Sequence, residues 1–431
     1  MKTVVIVAPQ FAPCSYPPAI RVRFFTNHLK EFGWYPIVLS VEPEYMEEPP
    51  DWEFTRMIPD DLEIIRVKTL PQKLTRKIGI GDLGIRCFPY MLRELKQLCS
   101  KRHIDMLFIP GPPWHTFLLG PEIKRQFNIP FVIDYIDPWV SSWGQGEPLW
   151  KKAFWYRQMA IWLEPYAVRH ADHITSVSEG TNNGVRSRYS FIQPGQFTEI
   201  PYGGEPEDFE HLRRHPRPNP FWNKNDGKFH FSYVGAMLPK AYGTLKAIFS
   251  ALLLIHKRHP DLYESVRFHF FGTTYAPNPK GGLVMPVARE MGLSDIVSEH
   301  PKRVPYLDAA NILCQSDAIF AMGTSEPHYT ASKIFPCILA KKPLLAVYHE
   351  ASSVVEILLK TGVGKLVTYS ETAPVETQVK TIYEALISLI KASKHNIFPS
   401  DSSLFDEFTA RTMTRKLTES FEKVCEAKNI P

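Results

Sequence analysis

Short apolar runs, each followed by glycine or a polar loop and then by helical periodicity, recur along the chain. The segment Ala318–Val347, AIFAMGTSEPHYTASKIFPCILAKKPLLAV, contains a complete unit of this kind. Its apolar run Ala318–Met322 is typical of a buried parallel strand. A polar loop follows, Ser332 opens a predicted helix, and Leu344–Val347 is the next strand. Loops at the carboxyl ends of parallel strands are where open α/β sheets bind ligands.

The same pattern predicts strands and helices on both sides of this unit. The predicted strands are Val4–Ala8, Ile37–Val41, Leu62–Val67, Ile104–Ile109, Pro130–Asp134, Asp172–Val177, Glu199–Pro201, Phe229–Val234, Val266–Phe271 and Gly364–Val367. The predicted helices include Ala19–Phe32, Leu92–Lys101, Glu179–Arg188, Tyr242–Lys257, Pro305–Gln315, Ser352–Lys360 and Glu376–Ala392. Strands that alternate with helices imply an α/β fold with doubly wound parallel sheets.

A polar, proline-rich segment, residues 204–228, divides this series into two. We therefore predict an N-terminal domain over 1–203, a linker over 204–228 and a C-terminal domain over 229–404. A chain of 431 residues has room for two domains of about 200 residues each. A last helix is predicted at 405–427.

Composition indicates a soluble, globular protein, with 44% hydrophobic and 22% charged residues. No apolar run approaches the ~18 residues of a membrane span, and MKTVVIVAPQ fits a first strand better than a signal peptide. The six cysteines show no paired metal spacing, which favours the cytoplasm and no zinc site. A net charge of +5 suits an anionic small ligand or a membrane surface and does not indicate nucleic acid.

Several segments, in order, resemble the retaining glycosyltransferases of family 4. They are ADHITSVSEG (171–180), IPYGGEPEDF (200–209), FSYVGAMLPK (231–240), VPYLDAANILCQSDAIF (304–320) and TASKIFPCILAKKPLLAV (330–347). DYIDPW (134–139) resembles an element of a polysaccharide-assembly subgroup. The resemblance implies the glycosyltransferase-B architecture: two Rossmann-like doubly wound domains facing a central cleft, with the last helix returning to the N-terminal domain.

The resemblance also implies an activity. A sugar would pass, with retention, from a UDP- or GDP-linked nucleotide sugar to a saccharide or lipid-linked acceptor, in polysaccharide or glycolipid synthesis. Such transfer is usually described as a front-face displacement without a protein nucleophile, so a carboxylate pair is not required. No Asp-x-Asp lies near a site-like loop, which fits metal independence, and no cofactor besides the nucleotide sugar is expected.

The donor diphosphate calls for backbone N–H groups and one or two cations. Gly235 ends a strand and allows the backbone to approach a phosphate, and Lys240 is a nearby cation. Further donors are the amides at the predicted helix N-terminus, from Ala331, Ser332 and Lys333. Glu326 lies just before them, where it would accept hydrogen bonds from sugar hydroxyls. Each of these residues also has a plain alternative, as a surface or turn residue.

The acceptor side is expected in the N-terminal domain. The resemblance places an active-site histidine at His115, and Asp137 is a second candidate at a strand end. Arg21 and Arg23 follow the first loop and would meet a phosphate of the donor or acceptor. The alternative is that both are ordinary helix-surface arginines.

Two positions depart from the family pattern. Members often have arginine after the glycine at 235, where this chain has Ala236, and a ribose-binding glutamate where it has Pro336. These departures leave open a catalytically silent relative that binds nucleotide sugar. A nucleotide-sugar epimerase, which shares the architecture, is a third alternative.

A tryptophan-rich stretch, 138–166, carries Trp139, Trp143, Trp150, Trp155 and Trp162 with Lys151, Lys152 and Arg157. Aromatic residues with lysines anchor helices at a bilayer surface, which would suit a lipid-linked acceptor and a peripheral membrane contact. The alternative is an aromatic helix packed on its own sheet.

Overall fold

The computed structural model describes residues 1–47, 49–276, 279–325, 332–393 and 402–428. The chain forms two compact units, one of Met1–Gly203 with the segment from Ala410 onward, and one of Gly204–Thr409. Each unit is an α/β layer structure with its own parallel sheet.

Strands and helices are numbered along the whole chain. The strands are β1 Lys2–Val7, β2 Trp34–Val41, β3 Glu63–Val67, β4 Met106–Gly111, β5 Phe131–Tyr135, β6 His173–Ser176, β7 Phe197–Glu199, β8 Phe229–Val234, β9 Val266–Phe271, β10 Val297–His300, β11 Ala318–Met322, β12 Leu344–His349 and β13 Lys365–Tyr369. The helices are α1 Pro17–His28, α2 Trp52–Thr55, α3 Gln72–Thr75, α4 Leu83–Lys101, α5 Leu119–Phe127, α6 Lys152–His170, α7 Glu179–Arg188, α8 Pro206–Arg214, α9 Tyr242–Arg258, α10 Pro260–Ser265, α11 Met285–Glu290, α12 Tyr306–Gln315, α13 Ile334–Leu339, α14 Ser353–Thr361, α15 Val379–Ser393 and α16 Ala410–Lys428.

The first unit contains a seven-stranded parallel sheet in the order β3-β2-β1-β4-β5-β6-β7. Strand β1 lies in the interior of this sheet, and its residues 4–7 are apolar and fully buried because both faces of a parallel sheet are covered. Helix α16 packs on α1, and the Phe421 ring lies 5.0 Å from Trp34 and 5.7 Å from Phe108. The last helix therefore completes the core of the first unit.

The second unit contains a six-stranded parallel sheet in the order β10-β9-β8-β11-β12-β13. Strands β8 and β11 pair with Phe231 opposite Ala318. Aromatic side chains fill the interior: the Phe231 and Phe268 rings stack at 4.6 Å, and Phe320 packs beside them. These contacts place the core of this unit on β8, β9 and β11.

The structure differs from the predicted elements at the ends of the second unit. The predicted linker 204–228 contains α8, which starts with proline and buries Phe209 and Leu212. The predicted last helix is broken at Thr409. A 3-10 helix, Ser402–Phe408, precedes the break, and its Phe408 ring packs 5.6 Å from Phe335 of the second unit. Strand β10 was not predicted because VSEH has only one apolar residue.

Candidate functional site

The order of strands in each sheet reverses at one place. In the first unit, successive strands are added on one side of β1 up to β3 and then on the other side from β4 onward, so the order reverses between β1 and β4. In the second unit the reversal lies between β8 and β11. Loops that leave such a switch point diverge and open a crevice at the carboxyl ends of the strands. The predicted site residues follow these strands, so each unit is described at its own switch point.

Gly235 follows β8 and has a backbone conformation that favours glycine, with φ +145°. A Cβ at this position would lie 3.1 Å from Cδ of Lys333, which is tighter than an ordinary contact. The structure therefore brings together Gly235 and Lys333, two of the predicted donor-side residues. A side chain at 235 would displace the lysine.

Lys333 places its cation at the end of β8. Its ammonium donates a hydrogen bond to the hydroxyl of Tyr233 and lies 4.4 Å from the centroid of that ring. The Tyr233 hydroxyl in turn donates to the carbonyl oxygen of Ala236 at 2.9 Å. Burial raises the pKa of Tyr233, which keeps this hydroxyl protonated. A fixed positive charge thus sits beside the glycine that ends the strand.

The loop after β11 is joined to the loop after β8. The amide of Ser325 donates to the carbonyl oxygen of Lys240 at 3.0 Å, while the side chain of Lys240 is exposed. The carbonyl oxygen of Thr324 accepts a hydrogen bond from the hydroxyl of Tyr369 at 2.8 Å. Neighbouring strands therefore hold the start of this loop in place.

Of the other residues predicted for the donor side, the structure describes only some. Glu326 and Ala331 lie outside the described residues, so their roles stay predictions. Ser332 is half-buried, and the helix predicted to open there begins at Ile334 and has six residues. Pro336 lies within its first turn, where a missing N–H costs little.

In the first unit, His115 follows β4 and is held by a carboxylate that the sequence analysis missed. Nδ1 of His115 lies 3.1 Å from Oδ1 of Asp82, the residue that caps α4 through the amide of Ile85. Burial tends to raise the pKa of Asp82, but hydrogen bonds from His115 and backbone amides outweigh it and hold the pKa below its usual value. Gly84 permits this approach, because a Cβ there would lie 3.0 Å from the Asp82 oxygen.

The ring of His115 is enclosed by aromatic side chains. Trp139 and Tyr156 meet it edge to face, with centroids at 5.5 and 5.9 Å. The structure records no hydrogen-bond partner for the buried Nε2 of His115 or Nε1 of Trp139 within the described residues. In the tautomer whose Nδ1–H donates to Asp82, Nε2 is an acceptor. Asp82 lies 33 positions from His115, and no local sequence signal links the two.

Asp137 follows β5 and is exposed, unlike its neighbour Trp139. Its backbone carbonyl accepts a hydrogen bond from the indole of Trp114 at 2.9 Å, which joins the loops after β4 and β5. Desolvation by surrounding atoms raises the pKa of the Asp137 carboxyl, although exposure of the residue to water moderates this effect. A catalytic role for Asp137 stays a prediction.

Arg21 and Arg23 lie in the interior rather than on a helix surface. Arg21 makes a paired contact with Asp134, Nε to Oδ2 at 2.8 Å and Nη2 to Oδ1 at 3.0 Å. It also donates to the carbonyl oxygens of Ile200 and Pro201. The Arg23 guanidinium lies 5.0 Å from the ring of Phe24. The structure thus corrects the expected phosphate contact of Arg21, since a phosphate would have to displace a buried carboxylate.

Among the described residues, no group of three or more His, Cys, Asp or Glu side chains is arranged to hold a metal ion.

Comparison with known proteins agrees with this architecture. Residues 18–203, less than half of the chain, match the model of the family described as "Glycosyl transferase 4-like domain". None of the curated proteins compared with the chain matches it.

Solved structures match over nearly the whole chain at low identity. Anabaena Alr3699/HepE, in complex with UDP and glucose, has 11% identity and a TM-score of 0.63, covering 98% of this chain and 100% of that chain. A UDP-forming trehalose-phosphate synthase from Burkholderia xenovorans has 12% identity and a TM-score of 0.63, covering 98% and 99%. A putative UDP-N-acetylglucosamine 2-epimerase from Listeria monocytogenes has 11% identity and a TM-score of 0.58, covering 100% and 99%. The fold is therefore the two-domain α/β fold of glycosyltransferase-B structures.

Proposed function

We propose that the protein is a glycosyltransferase that moves a sugar, with retention, from a UDP- or GDP-linked nucleotide sugar to a saccharide or lipid-linked acceptor. The observation that carries the proposal is the meeting of Gly235 and Lys333 at the switch point of the second unit. A glycine that admits backbone approach, beside a fixed cation, suits a diphosphate. The proposed setting is the cytoplasm, where the six free cysteines would stay reduced.

In the first unit, His115 is the proposed acid–base or sugar-binding group, with Nε2 available and Nδ1 fixed by Asp82. The aromatic side chains around the ring would exclude water from it. The solved structures with UDP, and with UDP and glucose, support a uridine nucleotide as the first donor to test.

A panel of UDP- and GDP-sugars tests the proposal. We expect one of them to release nucleoside diphosphate slowly, and faster once an acceptor is present, with the product anomer read by NMR. Lys333→Met keeps the stem against Gly235 and removes the charge. Loss of a charged hydrogen bond of about 1.5–3 kcal/mol should weaken donor binding roughly ten- to a hundredfold. Lys257→Met, at an exposed position of the same unit, is the matched control.

The departures at Ala236 and Pro336 favour one alternative, a silent protein that binds nucleotide sugar without transferring it. Binding without release of nucleoside diphosphate, for every sugar and acceptor, would support this alternative and contradict transfer. A nucleotide sugar returned with an inverted carbon would instead identify an epimerase, an activity named for the Listeria monocytogenes structure.

A further inference from the structure

Large apolar side chains are exposed together on one part of the first unit. We name this part the tryptophan surface and define it by Trp143, Leu149, Trp150, Trp155, Trp162 and Tyr166. Trp150 is 82% exposed and Trp162 is 63% exposed. Trp139, which the sequence placed in the same stretch, is buried instead. Folded proteins rarely leave so many large apolar groups in water unless the surface binds something.

The tryptophan surface follows one side of α6. Trp155, Met159, Trp162 and Tyr166 are spaced so that they share a face of the helix. The opposite face, including Ala160 and Ala167, is buried in the hydrophobic core of the first unit. At about 1.5 Å per residue, the strip from Trp155 to Tyr166 is on the order of 17 Å long. Such a strip would lie along a surface rather than enter a pocket.

The charges around this strip are almost entirely positive. Lys151, Lys152 and Arg169 are exposed and form no ion pair with any residue that the structure describes, and the Arg169 guanidinium lies 4.5 Å from the centroid of the Phe191 ring. Arg157 is half-buried and donates to the carbonyl oxygen of Ser141 at 3.3 Å. The only acid in α6, Glu164, is buried, where it accepts hydrogen bonds from Tyr135, Arg188 and Tyr189. Glu147, in the preceding loop, is the nearest exposed acid in sequence. The exposed face of α6 therefore carries cations and aromatic rings but no carboxylate.

We propose that the tryptophan surface lies on an anionic lipid bilayer, with α6 parallel to the plane of the membrane. Tryptophan and tyrosine favour the headgroup level, and lysine and arginine bind lipid phosphates. A symmetric contact with a second copy would set these cations against one another, which disfavours a dimer through this face. None of the helices in the described residues is long and apolar enough to span a membrane, so the contact is peripheral. The inference stands on the chemistry of this surface and holds whether or not the proposed glycosyl transfer does.

Sedimentation of the full chain with lipid vesicles tests the proposal. We expect binding to phosphatidylcholine vesicles that contain about 30% phosphatidylglycerol, weaker binding without the anionic lipid, and weakening by salt. Trp155→Ser with Trp162→Ser should lower the affinity at least roughly tenfold, because both large aromatic side chains lose their burial. Lys151→Ser with Lys152→Ser should lower it about fivefold per charge at low salt.

Trp52→Ser is the matched control, because Trp52 is 60% exposed but lies in α2, between β2 and β3 at the other end of the sheet. It should bind vesicles like the unmodified protein. Failure of the unmodified protein to sediment with anionic vesicles would overturn the proposal, as would unchanged binding by the double tryptophan variant. A dimer in light scattering that becomes a monomer in this variant would assign the surface to a second copy and also overturn it.

Discussion

At the scale of single residues, one carboxylate decides which nitrogen of His115 carries the proton. Because Asp82 can only accept, it holds the proton on Nδ1 and leaves Nε2 as an acceptor among aromatic rings. The same carboxylate caps α4, so a helix end and a candidate site share one side chain. An asparagine at position 82 could still cap α4 through its side-chain oxygen, but it would lack the negative charge beside His115.

We predict that Asp82→Asn lowers kcat roughly ten- to a hundredfold, with a small change in KM, because the tautomer and orientation of His115 are no longer fixed. The free energy of unfolding should change little, since asparagine also caps helices. The kcat on the donor found by the panel and the 15N NMR shifts of the imidazole measure the two effects. An unchanged kcat alongside a changed tautomer would show that His115 takes no part in the reaction.

A second prediction concerns Pro336, at the position where the resemblance expects a ribose-binding glutamate. A proline ring cannot accept hydrogen bonds from ribose hydroxyls, so nucleotide binding should depend mainly on the diphosphate. We expect a nucleoside diphosphate and its 2′-deoxy form to bind within about 0.5 kcal/mol of each other, below the ~1.5 kcal/mol of a charged hydrogen bond. Titration calorimetry compares them, and a tenfold preference for the ribo form would show that another acceptor holds the ribose.

At the scale of elements, one ion pair joins parts of the first unit that are distant in sequence. Arg21 lies on α1, Asp134 lies on β5, and Thr175 of β6 donates to the same carboxylate at 2.7 Å. Arg21 also reaches the carbonyls of Ile200 and Pro201, just before the second unit begins. The pair is fully buried, so each partner depends on the other for compensation of its charge.

We predict that Arg21→Met alone, or Asp134→Leu alone, lowers the free energy of unfolding of the first unit by about 3–5 kcal/mol, because a buried charge is left unpaired. The double variant should cost clearly less than the sum of the two single changes. Urea denaturation of the four proteins completes this cycle. Additive costs would mean that the two charges are not coupled.

The sequence predicts elements where the pattern is local. Strand β11 is a continuous apolar run, and β8 is apolar except for His230 and Ser232; the alternation of such strands with helices indicates a parallel sheet. Helix α8 was missed because only Phe209 and Leu212 are apolar and buried among prolines and charges. Arg21 and Asp134 are 113 positions apart, and the sequence around each residue gives no indication of the other. Candidate residues were therefore easier to locate than their partners.

At the scale of the whole molecule, buried histidines link stability to pH. In the second unit, Asp226, His230, His269 and Ser298 form a chain of hydrogen bonds of 3.1, 2.9 and 2.7 Å. Since Asp226 can only accept, a single direction of donation from Ser298 to Asp226 satisfies both neutral rings. Burial lowers the pKa of His269 to about 3.

Burial also lowers the pKa of His173, in the first unit, to about 4. Unfolded histidines bind protons below about pH 6.5, whereas these two stay neutral in the folded protein until pH 4 or 3. The unfolded state therefore binds more protons in this window, and stability falls as pH falls. At pH 5 each should cost its unit about 2 kcal/mol.

Urea denaturation from pH 7 to 4.5 measures this loss. We expect His269→Gln to reduce the slope of unfolding free energy against pH for the second unit. His256→Gln, at an exposed position of the same unit, is the matched control. Equal slopes for the unmodified protein and His269→Gln would contradict neutral burial of His269.

Because α16 belongs to the first unit but is encoded last, the first unit cannot complete its core during translation until the second unit has been synthesised. Residues 204–409 are synthesised between β7 and α16, which takes about 10–40 s at roughly 5–20 residues per second. During that interval the rings of Trp34 and Phe108 lack their contact with Phe421. We therefore expect the nascent first unit to expose an aromatic groove, where α16 will later pack, to which chaperones can bind. Lys2 of β1 pairs with Glu422 of α16, so a permuted gene that encodes α16 ahead of β1 would close this groove before the second unit is made.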